Sequence, residues 1–372
     1  MGRTSHQLSI GVDLHKTQFT VCGLKADGEI LHEGIYPCTH EGYDAFASWI
    51  HEAQEKHGLS AVLAVEATGN ARYFKNFMEN EGFRVKVINT LKFKVVVESV
   101  NKTDKRDARV IAAFLAKDFI PESHLCSQYE EDLRRLLKTR SQLVKTIVGL
   151  KNNIHGMMLS YGIVTKPSQF QSKKGRQQLR NELEAHTEFN VAAAGVLDCI
   201  LKVLEDTSAS LKEVEQELER YVEKDDAVAI LRTIPGVGLV TSSTIRAWTA
   251  DIDRFDSYKE YASYCGLVPY LKESNDVTYL GHITKRGPKE LRTAMVQVVM
   301  GMLRVREKNP DWIFYQRYGY WKSKKSSGKA IIACARKMSR VIYCMLKNKE
   351  GFNPENMNPE RNYSRERLLK VS

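Results

Sequence analysis

Short apolar runs separated by turn signals dominate the first ninety residues of the chain. Two of the runs alternate between apolar and polar positions around the turn Ala26-Asp27-Gly28, and this pattern predicts an antiparallel meander. Further on, helical periodicity alternates with fully apolar strands, so the order predicts a mixed sheet covered by helices over residues 1–125. The predicted segments are strands 8–13, 17–24, 30–36, 59–65 and 83–88 and helices 42–56 and 73–81.

The middle of the chain, residues 126–225, has apolar positions at helical spacing over long stretches. Leucine, isoleucine, valine and methionine recur from 129 to 158 and again from 197 to 221, with cations on the other face of the first stretch. Two such helices predict an antiparallel hairpin or an oligomeric coiled coil. A purely structural hairpin and a nucleic-acid grip are equally compatible with this pattern. Residues 164–180 are polar and are expected to be the connection.

Residues 226–348 predict a mostly helical C-terminal domain. The motif Ile234-Pro235-Gly236-Val237-Gly238 between two short helical segments is typical of a helix-hairpin-helix, in which Gly236 and Gly238 bring backbone N–H groups close to a phosphate. A plain corner between helices is the alternative. The remaining segments are a helix over 255–268, a loop over 270–287, helices over 289–304 and 330–346, and a flexible tail over 349–372.

The segment between the last two helices mixes aromatic and basic residues. Residues 312–321 are rich in Trp and Tyr, and residues 322–329 mix Lys with Ser and Gly. Such interleaving fits stacking on unpaired bases and neutralisation of a backbone, and core aromatics beside a solvated loop are the alternative.

The charge balance of the 372-residue chain favours a polyanionic partner. Lys and Arg number 56 against 45 Asp and Glu, which gives a net charge of +11 and a pI near 9.1. The seven cysteines are scattered and never spaced as C-x-x-C, so they indicate reduced thiols rather than a zinc site or disulfides. No signal peptide and no apolar run of membrane-spanning length are evident, and we expect a cytoplasmic protein with no membrane partner.

Four acids are expected at strand and helix ends of the first domain. Asp13 ends the first apolar run, Glu66 ends the fourth strand, and Asp104 and Asp107 project from one face of a helix start. Carboxylates that converge in this way need cations, and two Mg²⁺ (or Mn²⁺) ions could clamp the oxygens of a phosphodiester.

The cations around the third and fourth acids fit a polyanion as well. Lys102, Lys105, Arg106 and Arg109 are expected to hold a DNA or RNA backbone beside the metals. Taken alone, the segment reads equally as a solvated, charged first turn of a helix.

The order of these acids resembles that of the RuvC-like, ribonuclease H-type domain of the DEDD transposases of bacterial insertion sequences. The matching segments are Gly11-Val12-Asp13-Leu14-His15-Lys16, Val65-Glu66-Ala67-Thr68-Gly69 and Lys102-Thr103-Asp104-Lys105-Arg106-Asp107-Ala108. The resemblance implies that Asp13, Glu66, Asp104 and Asp107 bind a divalent metal. It also implies that the coiled-coil segment supports assembly and binds a guide RNA.

A second block resembles the C-terminal domain of the same family. It runs from Gly266-Leu267-Val268-Pro269 through Lys285-Arg286-Gly287 to Leu291-Arg292. The resemblance implies that Ser274 is a nucleophile and that Lys285 and Arg286 contact nucleic acid. The family pattern places Gly after this serine, whereas this chain has Glu273-Ser274-Asn275-Asp276, in which Asn tolerates a left-handed turn.

The function implied by both blocks is an insertion-sequence transposase or recombinase. Its expected partners are donor and target DNA, a structured noncoding guide RNA, and further copies of the chain in a dimer or tetramer. Two alternatives remain open from the sequence. One is a RuvC-like, structure-specific nuclease that uses metal-bound water, and the other is a non-catalytic nucleic-acid-binding protein.

Overall fold

The computed structural model describes residues 7–90, 92–93, 104–170, 172–185, 191–274 and 277–357. Of residues 104–106, 271–274, 277–280 and 356–357 it describes the backbone only. The chain divides into two compact units, residues 1–125 and 126–372. No helix in the described part of the chain is long and apolar enough to cross a membrane.

The first unit contains a five-stranded mixed sheet. The strand order is β3-β2-β1-β4-β5, in which β2 is antiparallel to both its neighbours and β1, β4 and β5 are parallel. The predicted strands and helices of this region are therefore confirmed, with shifts of a few residues at their ends. The elements are β1 Gln7–Leu14, β2 Gln18–Leu24, β3 Ile30–Pro37, α1 His40–His57, β4 Ser60–Glu66, α2 Ala71–Asn80, β5 Arg84–Ile88 and α3 Asp104–Ala116.

The two faces of the sheet pack against different helices because side chains alternate along each strand. Leu8, Ile10 and Val12 of β1 are fully buried and belong to the same core as the apolar faces of α1 and α2. The opposite face, which includes Cys22 and Ala64, packs against α3. The acid-bearing strand ends and the helix with Asp104 and Asp107 therefore share this second face.

The second unit begins with a long helical hairpin. Helices α4 (Gln128–Ser160) and α6 (Val191–Val222) pack along each other, as the periodicity predicts. The expected connection is not a plain loop, since it contains a 3₁₀ turn at Pro167–Phe170 and helix α5 (Lys173–Glu184). Leu179 and Leu183 of α5 are buried against the distal end of the hairpin, an amphipathic pattern that the polar composition of the segment obscures.

The base of the hairpin shares one core with the helices that follow it. Leu133 and Leu218, one on each long helix, are fully buried among residues of the C-terminal elements. Those elements are α7 Asp226–Arg232, α8 Leu239–Thr249, α9 Tyr258–Tyr264, β6 Pro269–Ser274, β7 Val277–Ile283, α10 Lys289–Arg304, α11 Ile313–Lys324 and α12 Ser327–Asn348.

Two expectations for the C-terminal region are wrong. Residues 270–287 are not a loop, because β6 and β7 form a two-stranded antiparallel hairpin there. The tail is ordered at least to residue 357, since the backbone N–H of Phe352 donates to Thr233 Oγ1 at 2.7 Å and a 3₁₀ turn follows. Residues 358–372, the rest of the expected flexible tail, lie outside the described residues.

Candidate active site

Two carboxylates lie side by side at one end of the sheet. Asp13 is the penultimate residue of β1 and Glu66 is the last residue of β4. The strands are parallel neighbours, and their register runs as far as Val12 opposite Val65, so the next step along each strand brings Asp13 beside Glu66. Both residues are partly buried, and the side chain of Asp13 is 16% exposed. Open α/β sheets bind ligands at this edge, where the carboxyl ends of parallel strands meet.

The third acid comes from α3, which crosses the same face of the sheet. Gly11 and Asp13 are two residues apart on β1, so a side chain at position 11 would point to the same face of the sheet as that of Asp13. A Cβ atom on Gly11 would lie only 2.1 Å from the carbonyl oxygen of Ala108, so helix and strand are in backbone contact. Asp107 directly precedes Ala108, so α3 brings the backbone of Asp107 next to β1.

The described acids supply oxygen donors at this edge but do not form a complete set of metal ligands. Asp13, Glu66 and Asp107 share the face, and Asp104 begins α3 one turn before Asp107, with its side chain outside the described atoms. Among the described residues, no three His, Cys, Asp or Glu side chains are grouped as metal ligands. The hydroxyl of Thr20, which pairs with Asp13, is buried and has no hydrogen-bond partner in the described part of the chain. A buried hydroxyl of this kind beside a carboxylate fits a site that takes a further polar ligand, such as a hydrated cation.

The thiol on the same face does not add to the donor set. Cys22 of β2 lies opposite Gly11, and burial together with the nearby Glu33 raises its pKa to about 11. A thiol that stays protonated at neutral pH is a poor nucleophile and a poor metal ligand. The chemistry of this edge therefore rests on the carboxylates.

A chain of hydrogen bonds braces the two acid-bearing strand ends. The ring nitrogen Nε2 of His15 lies 3.2 Å from Asp13 Oδ2, and the carbonyl of His15 accepts a hydrogen bond from Asn70 Nδ2 at 2.7 Å. Thr68 in turn donates to Asn70 Oδ1 at 3.1 Å. Asn70 follows Glu66 by four residues, so it ties the loop after β1 to the loop after β4. The sequence shows Asn70 only as part of a helix-breaking Thr-Gly-Asn turn, and its bracing role comes from the fold.

The cations around Asp104 and Asp107 are only partly described. Lys102 lies outside the described residues, and Lys105 and Arg106 are on α3 with backbone positions alone. Arg109 is exposed, and its guanidinium binds Glu33 of β3 in a bidentate pair, with Nη2 donating to Oε2 at 2.7 Å. A polyanion that binds Arg109, as predicted, would therefore compete with Glu33 for its guanidinium.

Substitution of Gly11 tests the backbone contact between β1 and α3. We expect Gly11→Ala to lower the free energy of unfolding by about 3 kcal/mol, at the upper end of the cost of overpacking, because the new methyl group meets backbone atoms that cannot rotate away. Denaturant unfolding of the full chain measures this loss. Gly69→Ala is the matched control, since no atom lies within 4 Å of the added methyl group. An unchanged unfolding midpoint for Gly11→Ala would contradict the close approach.

In the second unit, two sequence motifs interlock at the base of the β6–β7 hairpin. Gly266 has φ +68°, and a Cβ on it would lie 2.4 Å from the carbonyl oxygen of Arg286. Gly287 has φ +94°, and its Cβ would lie 1.9 Å from the carbonyl oxygen of Tyr264. Arg292 Nη1 donates to the carbonyl of Lys285 at 3.0 Å and closes the contact. The positions of Gly266, Gly287 and Arg292 are thus explained by the close backbone contacts that fix the base of the hairpin.

Ser274 lies at the far end of this hairpin. It is the last residue of β6 and pairs with Val277, the first residue of β7. The two residues between them, 275 and 276, lie outside the described residues. Lys285 and Arg286 are exposed at the base of the hairpin, and Lys285 itself has φ +51°. The candidate nucleophile is therefore carried on the turn of a hairpin whose other end is fixed in the domain.

The segment predicted to be a helix-hairpin-helix includes α7 and α8, and its two glycines differ in their contacts. Gly236 has φ +80°, and a Cβ on it would lie 2.4 Å from the carbonyl group of Gly301 on α10. Gly238 is the residue before the first turn of α8, is exposed, and has no atom within 4 Å of an added Cβ. Packing therefore accounts for Gly236, while Gly238 leaves room for an approaching phosphate at the N-terminus of α8. The feature of the sequence that could have revealed the contact at Gly301 is a lone glycine inside the predicted helix 289–304.

Comparison with known proteins gives matches to both blocks. A family model described as "Transposase" matches residues 10–163, and one described as "Transposase IS116/IS110/IS902 family" matches residues 228–316. The transposase for insertion sequence element IS1111A of Coxiella burnetii is 24% identical over 356 residues, which cover 92% of this chain and 90% of that protein. The pilin gene-inverting protein of Moraxella bovis is 24% identical over 363 residues, which cover 92% of this chain and 97% of that protein. The probable family 20 transposase of Pseudomonas aeruginosa is 23% identical over 298 residues, covering 79% of this chain and 86% of that protein.

The sheet with its acids and the two matched blocks, in this order, define a DNA transposase. The chain belongs to the DEDD transposases of insertion sequences, in the group named after IS110 and IS116. That family has an active site that depends on a divalent metal.

Proposed function

We propose that this chain cleaves and exchanges DNA strands with Ser274 as the nucleophile and with Mg²⁺, or Mn²⁺, held by Asp13, Glu66, Asp104 and Asp107. The observation that carries the proposal is the side-by-side position of Asp13 and Glu66 on parallel strands, with Ala108, the residue after Asp107, in backbone contact with β1. The strand order β3-β2-β1-β4-β5, with only β2 reversed between β3 and β1, supports a RuvC-like, ribonuclease H-type domain.

The carboxylates have a defined task in this scheme. A bound divalent cation would offset the repulsion among the acids and stabilise charge on the phosphate that is transferred. The backbone contact of β1 with α3 and the bracing by Asn70 keep the acids in place without the cation. This pre-organisation reduces the rearrangement needed when the metal and the phosphate arrive.

The proposed strand cleavage is a transesterification. The hydroxyl oxygen of Ser274 forms a bond to phosphorus, the bond between phosphorus and the 3′-oxygen breaks, and the serine proton passes to solvent or base while the 3′-oxygen gains one. The products are a 5′-phosphoserine and a free 3′-hydroxyl. Attack by a 3′-hydroxyl of another strand reverses the same bonds and rejoins the DNA, so the exchange needs no external energy source.

The helical hairpin supports two further parts of the proposal. Lys138 and Lys145 are exposed on α4 and suit the backbone of a structured noncoding guide RNA. Val148 on α4 and Val196 on α6 are exposed apolar residues, which suit contacts with further copies of the chain in a dimer or tetramer.

The product ends distinguish this function from a hydrolytic nuclease. The DNA is labelled on the 5′ side of the expected junction in one reaction and on the 3′ side in another. The purified protein is incubated with Mg²⁺ and each DNA, and each mixture is then denatured. We expect the strand with the new 5′ end to stay attached to protein and RNA from the flanks of the gene to copurify. Protein-free 5′-phosphate ends would support the nuclease instead, and an absence of metal-dependent cleavage would support a binding protein.

A further inference from the structure

A basic groove of about 770 Å³ lies in the C-terminal unit beside the base of the β6–β7 hairpin. One wall is α9, another is formed by Val268, Pro269 and Ile283 of the hairpin base, and a third by the end of α11 and the first half of α12. Trp321, Lys325 and Lys329 of its lining come from residues 312–329, whose aromatic and basic pattern fits stacking on unpaired bases.

The groove is strongly and uniformly positive. Among the described residues that line it, six are cations and none is Asp or Glu, and these cations form no ion pair with a described acid. Arg246 of the same unit, in contrast, has acid partners, since its guanidinium binds Glu130 at 2.8 Å and Asp225 at 2.9 Å. The groove cations are Lys259, Lys325, Lys329, Arg336, Lys337 and Arg340.

Crowding among these charges is visible at Lys337. Burial lowers the pKa of Lys337, and the neighbouring charges of Arg317, Arg340 and Arg336 lower it further. Like charges held together without acids are relieved by a polyanion with closely spaced charges. The first turn of α12, with Gly328 and Lys329, also directs the positive end of a 22-residue helix toward the groove.

The lining between the cations is aromatic and apolar. Tyr258 and Trp321 line the groove, and Arg340 stacks over the ring of Tyr258 with 4.6 Å between guanidinium carbon and ring centroid. Leu267 and Ile332 add apolar surface. Aromatic faces between cations bind nucleotides whose bases are unstacked, because any base can stack on them while the cations hold the phosphates. A paired duplex would leave these faces unused.

We propose that this groove binds a single strand of DNA next to the cleavage point. The proposal rests on the proposed function of Ser274, because it gives the strand its position relative to the reaction. Pro269 at the groove and Ser274 at the hairpin tip are the two ends of β6, and five residue steps along a strand span about 17 Å. The groove therefore lies about the length of β6 from the serine.

The test compares exposed charges inside and outside the groove. The first variant, Arg336→Gln with Lys337→Gln, removes two groove cations, and the control, Arg306→Gln with Lys308→Gln, removes an exposed Arg and an exposed Lys after α10 that do not line it. The full chain is titrated into a fluorescently labelled 20-nucleotide DNA strand, and anisotropy is measured over a series of salt concentrations. We expect binding to weaken about tenfold for the first variant and the salt slope to fall by about 1.4, with little change for the control.

A second variant and two further probes keep the outcome decisive. Lys325→Gln with Lys329→Gln changes exposed residues before and in the first turn of α12, so it tests the groove even if the first variant unfolds. Equal losses for groove and control variants would overturn the proposal. A loss confined to duplex DNA or to an RNA strand of the same sequence would overturn the assignment of single-stranded DNA.

The binding assay is independent of the serine chemistry. It needs no cleavage and is repeated in a Ser274→Ala chain. Groove-dependent binding by the unaltered chain without any covalent product would support the groove and reject Ser274 as the nucleophile. Covalent product with full binding by both groove variants would reject the groove alone.

Discussion

Ser274→Ala is expected to abolish the covalent protein–DNA product and to reduce recombination by at least about 10³-fold, because no other atom can take the place of an attacking oxygen. Binding of DNA should persist, since the hydroxyl contributes little to contacts along the backbone. Recombination between two plasmid-borne sites measures the loss of recombination. A denaturing gel that separates protein carrying labelled DNA measures the loss of the covalent product.

The control for this substitution is Ser263→Ala, an exposed serine of α9 in the same unit. It should recombine like the unaltered chain. Full activity of Ser274→Ala would reject the nucleophile. Cleavage that persists without a covalent product would show that the metal site activates water, as in a nuclease.

Asp13→Asn is expected to reduce metal-dependent cleavage about 10³-fold and to remove the stabilisation of the chain by Mg²⁺. The amide keeps the shape of the side chain but loses the charge that a hard divalent cation requires. In metal-free buffer the variant should unfold no earlier than the unaltered chain, because the repulsion between Asp13 and Glu66 is relieved. Added Mg²⁺ at 100 times its Kd should stabilise only the unaltered chain, by about 2.7 kcal/mol.

Thermal unfolding with and without Mg²⁺ measures that difference. Glu52→Gln on α1 is the matched control, because it removes one exposed carboxylate away from the sheet edge. Equal stabilisation of the Asp13→Asn chain by Mg²⁺ would reject Asp13 as a ligand. Separation of the two readouts also distinguishes a lost metal from a damaged fold.

The local pattern of the sequence was sufficient for the sheet and for the elements that carry its acids. Alternation in residues 17–24 and 30–36 and the apolar run 59–65 have strong β-propensity, and each ends in a turn signal, so their positions follow from neighbours in sequence. The acids at the ends of β1 and β4 could be placed together because parallel neighbouring strands share an edge.

Contacts between distant residues could not be predicted in this way. Arg109 and Glu33 are 76 positions apart, and their bidentate pair depends on how α3 packs on the sheet. The β6–β7 hairpin was missed for a related reason, since charged residues such as Lys272 and Glu273 interrupt its alternation. Its pairing is supported instead by the contacts of Gly266 and Gly287 at its base, which a local pattern does not reveal.

Those two glycines have a mechanical consequence. A hairpin of about 17 Å that is fixed at one end behaves as a lever, and a tilt of roughly 10° at its base moves its tip by about 3 Å. This displacement is comparable to the whole distance between reacting atoms before attack, about 3 to 3.5 Å. The position of the Ser274 hydroxyl would then depend on the backbone at Gly266 and Gly287, five or more residues away from the atom that reacts.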